Sequence, residues 1–169
     1  MITGKAHKYG DNIDTDVIIP ARYCTSFHIE ELAPHCLEDL DPDFVKKVSE
    51  GDILVTGENF GCGSSRENAP IAIKGAGISC VVAKSFARIF YRNAINIALP
   101  IFENREFVDI TDTGDWIKVD LKKGFIENET KGKRFKISLF PDIIQEIIEC
   151  GGMIGFVKKR IEAKRKSKE

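Results

Sequence analysis

Ile53-Leu54-Val55-Thr56-Gly57-Glu58-Asn59-Phe60-Gly61-Cys62-Gly63-Ser64-Ser65 is the stretch that decides the fold. Its first four residues are apolar or β-branched without alternation, the pattern of a strand buried on both faces. The glycine-rich loop leads toward a helix expected from about Ser64 to Lys74, stopped by Gly75-Ala76-Gly77. Cys80-Val81-Val82-Ala83 repeats the buried-strand pattern. Ser85 is expected to cap a helix from Phe86 to Asn96, and Ala98 to Phe102 reads as a third strand. Strand, helix, strand, helix, strand in that order implies parallel strands joined by right-handed crossovers.

Upstream, Gly4 to Tyr9 reads as a strand entering the turn Gly10-Asp11-Asn12. A second polar turn, Asp14-Thr15-Asp16, precedes Val17-Ile18-Ile19, which Pro20 closes. Ile29 to Glu38 and Pro42 to Val48 have helical character, the second with Asp41 as N-cap and Pro42 at the first helical position. Downstream of Phe102 the style changes. Trp116 to Leu121, Phe125 to Glu127 and Arg134 to Leu139 are short strands of an antiparallel meander. Asp142 to Cys150 is a helix with Ile143, Ile147 and Ile148 on its apolar face, and a last helix covers Met153 to about Ala163. The fold class is α/β with antiparallel strands beside the parallel ones.

With 169 residues, 43% of them hydrophobic, a single domain over 1–169 is expected, large enough to need neither disulfide nor structural metal. The 25 Lys+Arg balance 26 Asp+Glu, which argues against a nucleic-acid partner held by counterion release and against a disordered polyelectrolyte. No apolar run is long enough for a membrane span and the N-terminus has no signal-like apolar region, so a soluble, cytoplasmic protein is expected. Lys158 to Glu169 carries seven basic and two acidic residues, read as a solvated helical tail, with no aromatic residue to stack a base. Cys24, Cys36, Cys62, Cys80 and Cys150 contain no Cys-x-x-Cys, so neither a zinc nor an iron–sulfur ligand set can be read, and no metal is expected on this chain. Cys36, Cys80 and Cys150 lie in apolar stretches and are expected to be buried.

Gly61-Cys62-Gly63-Ser64-Ser65-Arg66-Glu67 draws attention as a site because ligands of open α/β sheets bind beyond the carboxyl ends of the strands. Glycines let backbone approach a ligand, the serines offer hydroxyls, and Arg66 is a forked cation suited to carboxylate. An ordinary glycine turn with an N-cap explains the same residues equally well. A P-loop, a dinucleotide fingerprint and a nucleophile elbow are all absent, and His7, His28 and His35 precede Ser64, against the hydrolase order. Asp11, Asp14 and Asp16 form an acidic turn without EF-hand spacing, read chiefly as a capping turn before Val17. In Ser85-Phe86-Ala87-Arg88-Ile89-Phe90-Tyr91-Arg92-Asn93, Phe86, Ile89 and Phe90 should face inward, while Arg88 and Arg92 share a helix face open to an anion or to water.

Three runs together are specific: Lys8 to Pro20, Asn59 to Glu67 and Lys84 to Asn93. In order and over nearly the whole chain, the sequence resembles the 3-isopropylmalate dehydratase small-subunit family, which corresponds to the swivelling C-terminal domain of aconitase. The resemblance implies a β/β/α layered swivel domain with a central parallel sheet and a smaller antiparallel one. It implies a hydro-lyase active only with a large subunit that carries a [4Fe-4S] cluster, acting on a small hydroxy-dicarboxylate. By the same resemblance Ser64 matches the catalytic base, Ser65 and Arg66 match substrate-binding positions, and Asp16 matches an acidic residue near that serine. The segment Arg22-Tyr23-Cys24-Thr25 matches the loop over the substrate side chain, and its neutral Cys24 and Thr25 suit an isopropyl group. Homoaconitase and dimethylmalate or citraconate dehydratases are the related alternatives. A carboxylate-binding assembly module without catalysis is the alternative class.

Overall fold

The computed structural model describes residues 1–166. The chain runs β1 (Ile2–Lys8), α1 (Thr15–Ile18), α2 (Ile29–Leu32), α3 (Phe44–Lys47), β2 (Ile53–Thr56), α4 (Asn68–Gly75), β3 (Cys80–Ala83), α5 (Arg88–Asn96) and β4 (Ile101–Glu103). It continues through α6 (Arg105–Ile110), β5 (Trp116–Asp120), β6 (Phe125–Asn128), β7 (Lys133–Lys136), α7 (Asp142–Glu149) and α8 (Met153–Lys166). The strand order is β4-β3-β2-β1-β5-β6-β7.

β1 belongs to both parts of this sheet. Its residues Ala6, His7 and Lys8 pair parallel with Ile53, Leu54 and Val55 of β2. Its residues Ile2 to Lys5 pair antiparallel with Trp116 to Val119 of β5. The parallel set β4-β3-β2-β1 and the meander β5-β6-β7 are therefore both present as the sequence suggests, and they join through one strand.

β2 and β3 are buried along their whole length because each face meets a different apolar layer. Leu54, Val81 and Ala83 point to a layer built with Ile18, Leu32, Phe44, Ile73 and Phe90. Ile53, Val55 and Val82 point the other way, to Phe107, Ile117, Val119, Ile126 and Phe156. Helices α1 to α5 thus cover one face, and the antiparallel strands with α6 to α8 cover the other.

Several boundaries differ from the sequence reading. α4 begins at Asn68, so Ser64, Ser65 and Arg66 lie in the loop before it, and Glu67 is exposed without capping the helix through its side chain. α5 begins at Arg88, because the Ser85 hydroxyl accepts from the Asn59 N–H and donates to Glu58 instead of capping a helix. α3 begins two residues after Pro42, with Asp41 engaged by Lys47 and by the Asp43 N–H. α6, unread in the sequence, is opened by Asn104, whose side chain accepts from the Phe107 N–H. Ile89 is exposed, and Cys150 is only half-buried, packed against the rim of the second apolar layer. The basic tail is the end of α8 as far as Lys166; Ser167, Lys168 and Glu169 lie outside the described residues.

Candidate active site

The glycine-rich loop leaves the carboxyl end of β2 and is stitched to two other segments by backbone hydrogen bonds. The Gly61 N–H donates to the Ile13 carbonyl and the Thr15 N–H to the Cys62 carbonyl, both at 2.8 Å. On the other side the Phe60 N–H donates to Ser85 at 3.0 Å and the Ala87 N–H to Phe60 at 2.9 Å. The three runs singled out in the sequence therefore meet at one place.

Two glycines make the approach possible. Gly57 lies against Asp11, whose carboxylate accepts the Glu58 N–H at 2.7 Å; a Cβ on Gly57 would fall 1.8 Å from that oxygen. Gly61 has φ of +75°, and a Cβ there would sit 2.2 Å from the ring of Phe90. Phe90 is itself packed edge-on to Phe60 and stacked on Phe86.

The three carboxylates of the acidic turn have separate tasks. Asp11 holds the loop as described, and Asp14 caps α1 by accepting the Val17 N–H at 2.8 Å. Asp16 pairs with Arg66 at 2.5 Å. Among the described residues no three His, Cys, Asp or Glu side chains gather to hold a metal ion.

Ser64 and Ser65 are exposed. The residue that reaches Ser64 is Thr15, whose buried hydroxyl donates to the Ser64 carbonyl at 3.1 Å and lies 3.4 Å from the Ser64 hydroxyl. Asp16 meets the loop at Arg66. Thr15 was not read as a site residue; its signal was the position between two capping or pairing aspartates at the start of a helical turn. Among the described residues, the N–H groups of Gly63, Ser64, Ser65 and Arg66 donate to no protein acceptor. Four free donors, two hydroxyls and a guanidinium thus lie within four consecutive residues, a set suited to an anion.

Beside it runs the loop from Arg22 to Thr25. Cys24 Sγ lies 4.0 Å from Arg66 Nη1, and Thr25 is exposed. Asn68, at the start of α4, ties this loop down through its side-chain N–H to the Ser26 carbonyl at 2.6 Å. Arg22, named from the sequence as a substrate contact, is turned aside: it donates to both oxygens of Asp39, at 2.6 and 3.0 Å, and to Glu38. That guanidinium holds the Asp39 carboxyl below its usual range. Glu38 is pushed up by burial, but bonds from His35, Tyr23 and Arg22 more than offset this and lower it. Tyr23 stacks on His35 with ring centroids 3.6 Å apart, which makes it a wall of the loop's base. Away from the site, burial pushes the Cys80 thiol up to about 12 and raises that of Cys36 as well, so both stay protonated.

Residues 34–105 match the family model described as aconitase C-terminal domain. A 3-isopropylmalate dehydratase small subunit from Caldicellulosiruptor bescii is 65% identical over 162 residues, covering 96% of this chain and 98% of that protein. The one from Caldanaerobacter subterraneus is 64% identical, over 94% of this chain and 98% of its own length. A solved structure of 3-isopropylmalate dehydratase from Methanocaldococcus jannaschii superposes with a TM-score of 0.93 at 48% identity, covering 98% of both chains. With relatives this similar over nearly its full length, the chain belongs to the 3-isopropylmalate dehydratase small-subunit family.

Proposed function

We propose that the chain is the small subunit of a hydro-lyase that interconverts 2-isopropylmalate and 3-isopropylmalate by dehydration and rehydration, in leucine biosynthesis. The observation that carries the reading is the convergence on Ser64: a serine fixed by Thr15, next to free N–H donors and the Asp16–Arg66 pair. Among the described residues no side chains gather in a way that fits an iron–sulfur cluster, and in this reading the cluster belongs to a large subunit that closes over the same loop.

The chain's own residues then have these roles. Dehydration removes a proton from the carbon next to a carboxylate, which Ser64 Oγ takes, and a hydroxide from the neighbouring carbon, for which the cluster on the large subunit would supply the Lewis acid. A serine does this only where its alkoxide is stabilised, and the free N–H groups of the loop stand beside Ser64 to supply that, with the Thr15 hydroxyl 3.4 Å from its Oγ. Arg66 binds the substrate carboxylate with its fork held by Asp16, and Ser65 adds a hydroxyl contact. Cys24 and Thr25 face the isopropyl group. With Arg22 committed to Glu38 and Asp39, this wall offers no cation to a third carboxylate, which favours isopropylmalate over homoaconitate. Five free cysteines suit a reducing, cytoplasmic setting, and no helix among the described residues is long and apolar enough to cross a membrane.

The test is the complex reconstituted with the large subunit, assayed for interconversion of the two isopropylmalates. Ser64→Ala should lower kcat by about 10²–10⁴-fold while KM changes little, as expected when a general base is lost. Wild-type turnover by that variant would reduce the glycine-rich loop to a structural turn.

A further inference from the structure

One helix face is left over once the site is built. Along α5, Arg88, Tyr91, Arg92 and Ile95 share a face by their three- and four-residue spacing, and they line a groove of about 610 Å³. Ile144 and Ile147 of α7 form the facing wall. Tyr91 is 39% exposed, and neighbouring Ile89 and Ile143 are 48% and 47% exposed, an apolar surface that water covers in the isolated chain.

The charge in the groove is unbalanced as well. Arg88 and Arg92 lie four apart, a like-charge spacing that disfavours the helix, and among the described residues neither has an ion-pair or hydrogen-bond partner. The groove's own carboxylate, Glu103, is engaged by the Phe86 N–H at 3.1 Å. Two forked cations above an aliphatic floor match a segment that alternates carboxylates with aliphatic side chains.

Position says which molecule carries that segment. Phe86 lines the groove and also packs edge-on against Phe60, next to Gly61, with ring centroids 6.1 Å apart. The backbone around Phe86 also pairs with Phe60, so the groove starts beside the base of the loop that carries Ser64, within reach of a chain that closes over Ser64. We propose that this groove docks an acidic, aliphatic segment of the large subunit, with Arg88 and Arg92 taking its carboxylates. The proposal rests on the two-chain reading above and gives Arg88 and Arg92 a task outside the chemistry.

Separately purified chain and large subunit from the same organism test it, with the dissociation constant measured at low and high salt. Arg88→Glu/Arg92→Glu should weaken assembly by about thirtyfold or more at low salt, and the gap to wild type should narrow as salt screens the charges. Lys122→Glu/Lys133→Glu makes the same charge change on the turn before β6 and at the start of β7 and should alter affinity less than about threefold. Thermal unfolding of each variant alone checks folding; should the reversal disturb it, Arg88→Gln/Arg92→Gln removes the charges and should give a smaller loss of the same kind. In the wild-type complex, amide exchange in α5 and α7 should slow. Wild-type affinity in the groove variants overturns the docking proposal and leaves the two-chain enzyme standing. A wild-type chain that dimerises alone through this face, with the dimer broken by the reversal, also overturns it. Failure of the wild-type chain to bind the large subunit at all would instead sink the two-chain reading itself, and the docking proposal with it.

Discussion

Replacing Thr15 by Val removes one oxygen and almost nothing else. Thr15 is 2% exposed, and Val has the same branched shape, so the packing around it and the Thr15 N–H bond to Cys62 remain. What is lost is the hydroxyl bond to the Ser64 carbonyl at 3.1 Å and the 3.4 Å contact with the Ser64 hydroxyl. Ser64 is exposed, so water can satisfy its carbonyl after the change, and the stability cost should be at the ordinary level for one hydrogen bond, about 0.5–1.5 kcal/mol. For a chain of this size that lowers Tm by about 1–6 °C. Turnover should suffer more than stability does. A base that drifts by about 1 Å loses on the order of 10²-fold in rate, so kcat of the reconstituted complex should fall by about 10–100-fold with KM nearly unchanged. Thr15→Ser keeps the hydroxyl and should keep most of kcat, a rescue that a packing role would not give. The assay is steady-state kinetics of all three complexes beside their thermal unfolding. Wild-type kcat for Thr15→Val, or equal loss for Thr15→Ser, would refute the idea that this hydroxyl positions Ser64.

Gly61→Ala should destabilise the chain by about 2–5 kcal/mol, combining a left-handed backbone penalty with displacement of buried Phe90, and urea unfolding would expose the error if the midpoint stayed put. Asp52 gives a pH dependence. Burial pushes this carboxyl up, but the His7 ring and the N–H groups of Ser49 and Lys5 more than offset it, so its folded value lies below the usual range. A depressed carboxyl favours the fold when ionised; its contribution is complete above the unfolded value of about 3.9 and drains away as pH falls from there through the folded value. Asp52→Asn should therefore be less stable than wild type at neutral pH and lose less on acidification, and parallel stability–pH curves for the two proteins would contradict this.

The parallel half of the sheet was legible because its signals are local. Ile53 to Thr56 and Cys80 to Ala83 are apolar runs closed on both sides by turn residues, and the strands have those bounds. The helix starts were less legible because serine serves two purposes. Ser64 and Ser85 have the residue type of an N-cap, yet one stands exposed in the glycine-rich loop and the other bonds Asn59 and Glu58, across the sheet end. Both partners are distant in sequence, so no local rule finds them. α6 was missed although Asn104 marks its start, since the run from Arg105 to Ile110 is short and only Phe107 and Val108 are buried. The direction of Arg22 was likewise out of reach: Glu38 and Asp39 lie sixteen and seventeen positions on, brought near by the turns at Ala21–Tyr23 and Ala33–His35.

The divided pairing of β1 also sets an order of events during synthesis. Residues up to Glu103 hold the whole parallel half, and they leave the ribosome before Trp116 to Val119, the partners of Ile2 to Lys5. During that interval the first half of β1 is an open strand edge beside a sheet that can already form. Open edges invite pairing with other chains, and a Lys there opposes it while a Gly weakens the strand. The waiting segment reads Ile2-Thr3-Gly4-Lys5, with the lysine side chain exposed. A nascent chain stalled between β4 and β5 should accordingly stay dispersed, and replacing Gly4 and Lys5 with valines should make that same stalled species aggregate.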